Sequence, residues 1–259
     1  MSRINEAFAK HKAFIPFITC GDPDLETTKK IVIAMAENGA DLIELGIPFS
    51  DPTAEGPVIQ EADNRALQSG ATTAKVLALA RELREIVRVP MVFMTYANVV
   101  YAYGIEKFLK EARDAEMDGL ILPDVPFEEK EEFDALCSQY GLDLISMIAP
   151  TSKQRIRMIA KEAKGFIYVV SSMGVTGVRK EITTDIDSLI QEIRSVSDVP
   201  CAVGFGISTP ETAARMAAAS DGAIVGSAIV RLIAAHGKDA CEPVSEFVRQ
   251  MSEAVHSVS

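Results

Sequence analysis

A chain of 259 residues with 48% apolar side chains has the length of an α/β barrel and enough hydrophobic material for a large core. Its net charge of −11 sets the average surface against nucleic acid and anionic membranes, leaving only a local basic or amide-lined spot for a phosphate. No apolar run reaches membrane length, the amino-terminal stretch MSRINEAFAKHKAF lacks a signal-peptide core, and Cys20, Cys137, Cys201 and Cys241 form no CxxC pair. The expectation is a cytoplasmic protein with free, reduced thiols.

Along the chain, Ile4, Ala7 and Phe8 make a helical apolar stripe, read as a short N-terminal helix packed on the body of the fold. Strand-like apolar runs follow at Phe14 to Thr19, Asp41 to Gly46, Val89 to Tyr96, Gly119 to Pro123, Leu142 to Ile148, Gly165 to Ser171, Val199 to Gly204 and Gly222 to Val225. Amphipathic helix patterns fill the gaps. Ile156, Ile159, Ala160 and Ala163 recur at i, i+3, i+4, i+7 in a helix entered near Thr151 or Ser152, and Thr209-Pro210 marks another helix start. Eight alternations demand a parallel sheet covered by helices, either an open doubly wound sheet or a closed barrel. Count and length favour the (β/α)8, or TIM, barrel as a single domain over residues 1–259, with chemistry on the loops after the strands' carboxyl ends.

Those loops carry the candidate site. Glu44 lies among Leu42, Ile43, Leu45 and Ile47 in a run that reads as a fully buried strand, where an acid has a raised pKa suited to general acid catalysis. Pro48 and Pro52 then force the backbone out of the sheet, so that Phe49, Ser50, Asp51 and the residues to Glu55 form a loop over the strand end. Taken alone, Glu55 reads equally as a loop acid or a helix-start charge. Asp51 and Asp124 sit after strand ends and are read as loop-orienting or partner-reaching groups, and Asn98 as a polar brace at a loop base.

The last three strands each end in glycine with a hydroxyl residue nearby: Gly174, Thr176 and Gly177; Gly204, Gly206 and Ser208; Gly226 and Ser227. Glycine lets amides approach an anion, and a helix starting at Gly226 or Ser227 points its positive end at the same spot. Three such loops in barrel order indicate a phosphate cradle. Phe17, Tyr96, Tyr168 and Phe205, from strands or strand ends, are expected to converge on one pocket, with the Tyr168 hydroxyl offered to an acid.

The segment ELGIPFSDP (44–52), followed by Glu55, Gly56 and Pro57, closely resembles the signature of the tryptophan synthase alpha chain family. PFITCGDP (16–23), TYANVV (95–100), DVP (124–126), MGVTG (173–177), GFGIS (204–208) and GSAIV (226–230) match that family in type and order. The resemblance implies cleavage of indole-3-glycerol phosphate to indole and glyceraldehyde 3-phosphate. Glu44, Glu55 and Tyr168 are then the catalytic group, with the two acids given different jobs by different burial. It also implies an indole slot formed by Phe17, Tyr96 and Phe205, phosphate contacts from Gly177, Gly206, Gly226 and Ser227, and Thr176 beside the second acid. Phe49, Ser50, Asp51 and Pro52 are expected to touch a beta chain in an α2β2 complex. No metal or cofactor is expected in this chain, pyridoxal phosphate belonging to the beta partner. Glu55 departs from the family's usual Asp by one methylene, and Thr53 and Ser172 also depart from the commoner pattern. The rival readings are an alpha-type subunit with weakened chemistry that serves chiefly to activate a beta partner, and a sugar-phosphate isomerase or epimerase, which would share the glycines but leave GIPFSDP unexplained.

Overall fold

The computed structural model describes residues 2–171, 185–204 and 206–258. Its strands are β1 (Ala13–Thr19), β2 (Ile43–Gly46), β3 (Met91–Met94), β4 (Gly119–Ile121), β5 (Asp143–Leu144), β6 (Ser146–Ile148), β7 (Ile167–Val170), β8 (Cys201–Gly204) and β9 (Gly222–Val225). All pair in parallel, in the order β5-β4-β3-β2-β1-β9-β8-β7-β6. The fifth expected strand is one run broken at Ile145: β5 pairs with β4 and β6 with β7, so the sheet closes on itself as a TIM barrel.

Both faces of this sheet are buried, and the side chains alternate between two apolar environments. Ala13, Ile15, Leu42, Val92, Ile121, Ile145, Tyr168, Ala202 and Ile224 pack together inside the barrel. Phe14, Ile18, Ile43, Leu45, Met91, Phe93, Leu120, Ile167, Val169, Cys201, Val203, Ala223 and Val225 pack outward against the helices. Phe17, Glu44 and Val92 are register partners across β1, β2 and β3, so Glu44 shares the inward direction of the barrel interior.

The helices begin where the sequence supplies caps. Ser152 accepts the Arg155 amide ahead of α8 (Lys153–Lys161), and Thr209 accepts the Thr212 amide ahead of α10 (Pro210–Ala219), with Pro210 in the first turn. The N-terminal helix α1 (Arg3–Ala7), capped by Ser2, buries Ile4 and Ala7 in the barrel floor, and the Phe8 ring lies 5.9 Å from that of Phe166.

The floor is stitched by three aspartates, each accepting a backbone amide at the start of a neighbouring strand. Asp41 takes Phe14 N–H at 2.8 Å, Asp118 takes Met91 N–H at 2.9 Å and Asp221 takes Cys201 N–H at 2.9 Å. Asp118 is neutralised by Arg3 and Arg84, and Asp221 by Arg194. Cys20, Cys137 and Cys201 are buried free thiols, and burial pushes each of the three up to about 12, so they serve as packing.

Candidate active site

At the carboxyl ends of the strands a cleft of about 650 Å³ opens into the barrel. Glu44 enters it from β2, Phe17 from β1, Met94 from β3 and Tyr168 from β7, while Glu55 reaches it from the loop after β2. Gly206, Gly226 and Ser227 line it as well, Gly226 lying against the Phe17 ring.

Glu44 is fully buried, and among the described residues neither of its carboxylate oxygens has a hydrogen-bond partner. Burial pushes its carboxyl from 4.5 up to about 8. A group in that state at neutral pH holds a proton that no acceptor among the described residues takes, an arrangement suited to general acid chemistry.

Glu55 is held by its loop. The Ala54 amide donates to the Tyr96 hydroxyl at 2.9 Å, the Phe49 ring lies 5.2 Å from the Tyr96 ring, and Gln60 donates to the Glu55 carbonyl at 2.8 Å. Pro57 then opens α3 (Pro57–Gln68). The side chain is only 8% exposed. Burial raises Glu55 to about 8, and the charge of Asp63 adds to the shift. The expectation that burial separates the two acids is therefore corrected: the loop folds inward and encloses Glu55 almost as fully as the strand encloses Glu44. What distinguishes Glu55 is negative neighbours, Asp63 and more weakly Asp124.

Tyr168 is also buried, its phenol raised well above its ordinary value by burial and then by Glu44 and Glu55. Its hydroxyl makes no hydrogen bond to Glu44 in this structure. Glycines make room for the aromatic walls. A Cβ on Gly46 would lie 2.7 Å from the Phe17 ring, and one on Gly204 would lie 2.5 Å from the Tyr168 hydroxyl.

Gly206 has φ +76, in the left-handed region that glycine tolerates. Gly226 precedes α11 (Ser227–His236), which no side chain caps, so its first-turn amides are available to an anion. Thr176, Gly177 and Phe205, together with Ser172 and Gly174, lie outside the described residues.

Tyr96 is placed behind the Glu55 loop and is not among the residues lining the cleft; its hydroxyl positions the loop backbone. Asp124 accepts the Ala97 amide at 3.1 Å and so caps the helix α5 (Ala97–Tyr103) from a neighbouring loop. Ser50 and Asp51 are exposed, with the Ser50 hydroxyl donating to Asp51, while Phe49 and Pro52 are partly buried. Asn98 is exposed on α5.

One functional neighbour escaped the sequence reading. Asp63 on α3 is 6% exposed, raised to about 7 by burial and by repulsion from Asp22, with the Phe49 amide and the Thr19 hydroxyl nearby pulling the other way. Its helical spacing places it on the face carrying Ile59, Ala62 and Ala66, a signal that a strict stripe count would have caught.

A closed barrel whose cleft is lined by a desolvated acid pair and by a glycine-flanked helix start defines a TIM-barrel enzyme built for acid–base chemistry on a phosphorylated substrate. The chain matches the family model described as "Tryptophan synthase alpha chain" over residues 4–257. It is 49% identical to the tryptophan synthase alpha chain of Lacticaseibacillus casei, covering 98% of this chain and 96% of that one. Against tryptophan synthase subunit alpha of Legionella pneumophila the TM-score is 0.89 at 34% identity over the full length of both, and against a Mycobacterium tuberculosis tryptophan synthase structure it is 0.89 at 31% over 98% of both. The chain belongs to the tryptophan synthase alpha chain family. Among the described residues no helix is long and apolar enough to cross a membrane.

Proposed function

We propose that the cleft cleaves indole-3-glycerol phosphate to indole and glyceraldehyde 3-phosphate, the retro-aldol lyase step of tryptophan biosynthesis. The observation carrying this reading is the buried, unpartnered Glu44 carboxyl facing the same space as Glu55. Glu44 transfers its proton to indole C3, which turns the aromatic ring into an electron-accepting indoleninium. As carboxylate, Glu44 then takes the proton of the glycerol hydroxyl; the carbon–carbon bond breaks, its electrons restore the indole ring, and the hydroxyl carbon leaves as the aldehyde.

Glu55 accepts the indole N–H and stabilises the positive charge that develops there. For that role it must be ionised. A donor N–H and a developing cation both favour the carboxylate and draw Glu55 back down from about 8 when substrate binds. Phe17 flanks the indole, and Gly206, Gly226 and Ser227 hold the phosphate with the amides of α11. Gly177 and Phe205 complete these two subsites in the same reading, with Thr176 beside Glu55. Tyr168 closes the floor next to both acids.

In this reading the whole chain is a single cytoplasmic domain that needs no cofactor of its own. Its partner is a beta chain carrying pyridoxal phosphate, assembled as α2β2, with the loop from Phe49 to Pro52 at the contact. Indole release from indole-3-glycerol phosphate, assayed for the isolated chain and then with a beta chain, tests the proposal: turnover rising on mixing is expected. No turnover in either assay, with beta binding intact, favours the rival reading of a regulatory subunit whose chemistry the longer Glu55 has blunted. No binding at micromolar concentration removes the partner.

A further inference from the structure

The floor of the barrel, at the amino ends of the strands and so on the opposite side from the acid cleft, holds a second cluster of chemically capable groups. His256 near the end of α12 (Cys241–His256) places Nε2 2.7 Å from Asp41 Oδ2, and His11 places Nε2 3.8 Å from Asp41 Oδ1. The two imidazole rings stack with centroids 3.9 Å apart. One donor atom from each of the three residues falls within 4.8 Å of the others.

We propose that His11, Asp41 and His256 form a binding site for a divalent transition metal of the zinc class. Three features point there. First, His11 Nδ1 lies 3.2 Å from the Lys12 carbonyl. A carbonyl only accepts, so that nitrogen carries the hydrogen, and the lone pair of a neutral ring sits on Nε2 and faces the Asp41 carboxylate. A backbone carbonyl holding the remote N–H is the arrangement that orients metal-ligating histidines. Second, ligands about 2.0–2.2 Å from an ion at tetrahedral angles stand roughly 3.3 Å apart, so with small ring rotations the 3.8 Å His11 gap closes, and the 2.7 Å His256 contact opens as its hydrogen bond to Asp41 gives way to the ion. Third, the two equivalent floor aspartates, Asp118 and Asp221, have arginine counter-charges, whereas among the described residues the ion-pair partners of Asp41 are the two imidazoles, its Oδ2 also accepting the Phe14 amide.

Of the nearby lysines, Lys12 is turned away, donating to the Ser220 carbonyl at 2.7 Å with Asp221 at 4.0 Å, and Lys10 lines the same surface hollow without an ion pair to Asp41. Side-chain exposures of 33%, 15% and 26% for His11, Asp41 and His256 leave the ion reachable and its remaining positions open to water. A bound ion would tie the chain before β1 and the segment before β2 to the C-terminal helix, three segments distant in sequence.

The test is calorimetric titration of the full chain with Zn²⁺ in a non-coordinating buffer, alongside Co²⁺ absorption. One ion per chain is expected, together with a higher melting temperature. His11→Gln and His256→Gln are each expected to weaken binding at least about tenfold, since even the loss of an outer partner costs a metal site that much. His236→Gln, on the exposed end of α11, is expected to change nothing. Indole release by each variant should equal that of the unsubstituted chain, which also confirms that the variants fold. Paramagnetically shifted imidazole N–H signals from the unsubstituted Co²⁺-loaded chain supply a check that requires no variant. No saturable binding, or binding by both histidine variants as tight as that of the unsubstituted chain, overturns the proposal. Stability that follows pH but ignores Zn²⁺ also overturns it, leaving a protonated His–Asp staple.

Discussion

Replacing Glu44 by glutamine keeps the shape of the side chain and removes its only titration, so it separates the acid's cost to the fold from its use in catalysis. The Glu44 carboxyl is raised from 4.5 to about 8 by burial. Between those values the unfolded chain has released the proton while the folded chain still holds it. The folded state then binds more protons, and stability falls as pH rises. Below about pH 4.5 the contribution is fully present; above about pH 8 it is lost. With roughly 1.4 kcal/mol per tenfold step, the interval amounts to about 5 kcal/mol, of which about 3 kcal/mol is lost by pH 7. Glu44→Gln is therefore expected to match the unsubstituted chain near pH 4.5 and to be more stable by an increasing margin up to pH 8. Turnover should fall by at least about a hundredfold at every pH, because glutamine has no proton to give. Urea unfolding at pH 5, 7 and 9, paired with indole-release assays, reads both effects. Parallel stability curves for the two proteins would show that Glu44 is not held as a desolvated neutral acid, and the mechanism would lose its proton source.

Three further substitutions probe the walls of the cleft. Glu55→Gln is expected to abolish turnover while far-ultraviolet dichroism stays unchanged; undiminished turnover removes Glu55 from the chemistry. Gly46→Ala places a Cβ 2.7 Å from the Phe17 ring, so the ring must swing into the substrate space. KM should rise and urea unfolding should record a loss of about 1–3 kcal/mol, the usual cost of overpacking; an unaltered KM would mean that Phe17 does not meet substrate. Tyr96→Phe deletes the acceptor of the Ala54 amide, a bond worth about 1 kcal/mol, so kcat/KM is expected to drop roughly fivefold through a looser Glu55 loop. Conversely, a large loss of substrate affinity at constant kcat would restore Tyr96 as a direct contact.

The alternation of apolar runs with amphipathic helices was enough to define a helix-covered parallel sheet, because strands buried on both faces and helices buried on one have different spacings of apolar residues. Capping residues marked several helix starts for an equally local reason: Ser152 and Thr209 satisfy amides only three residues away. The order of motifs from PFITCGDP to GSAIV carried the family. The direction of Glu44 was hidden, however, since in a strand with apolar residues on both sides no alternation distinguishes barrel interior from exterior. Register with Phe17 and Val92 decided it. Enclosure of Glu55, burial of Asp63 and the loop-bracing role of Tyr96 likewise depend on where the loop after β2 lands relative to residues some forty positions on. His11, Asp41 and His256 are separated by up to 245 positions and become neighbours only when the C-terminal helix docks beneath the closed barrel. Local spacing dictates which elements form; which side chains share one desolvated space follows from closing the sheet, a long-range event that no short window of residues records.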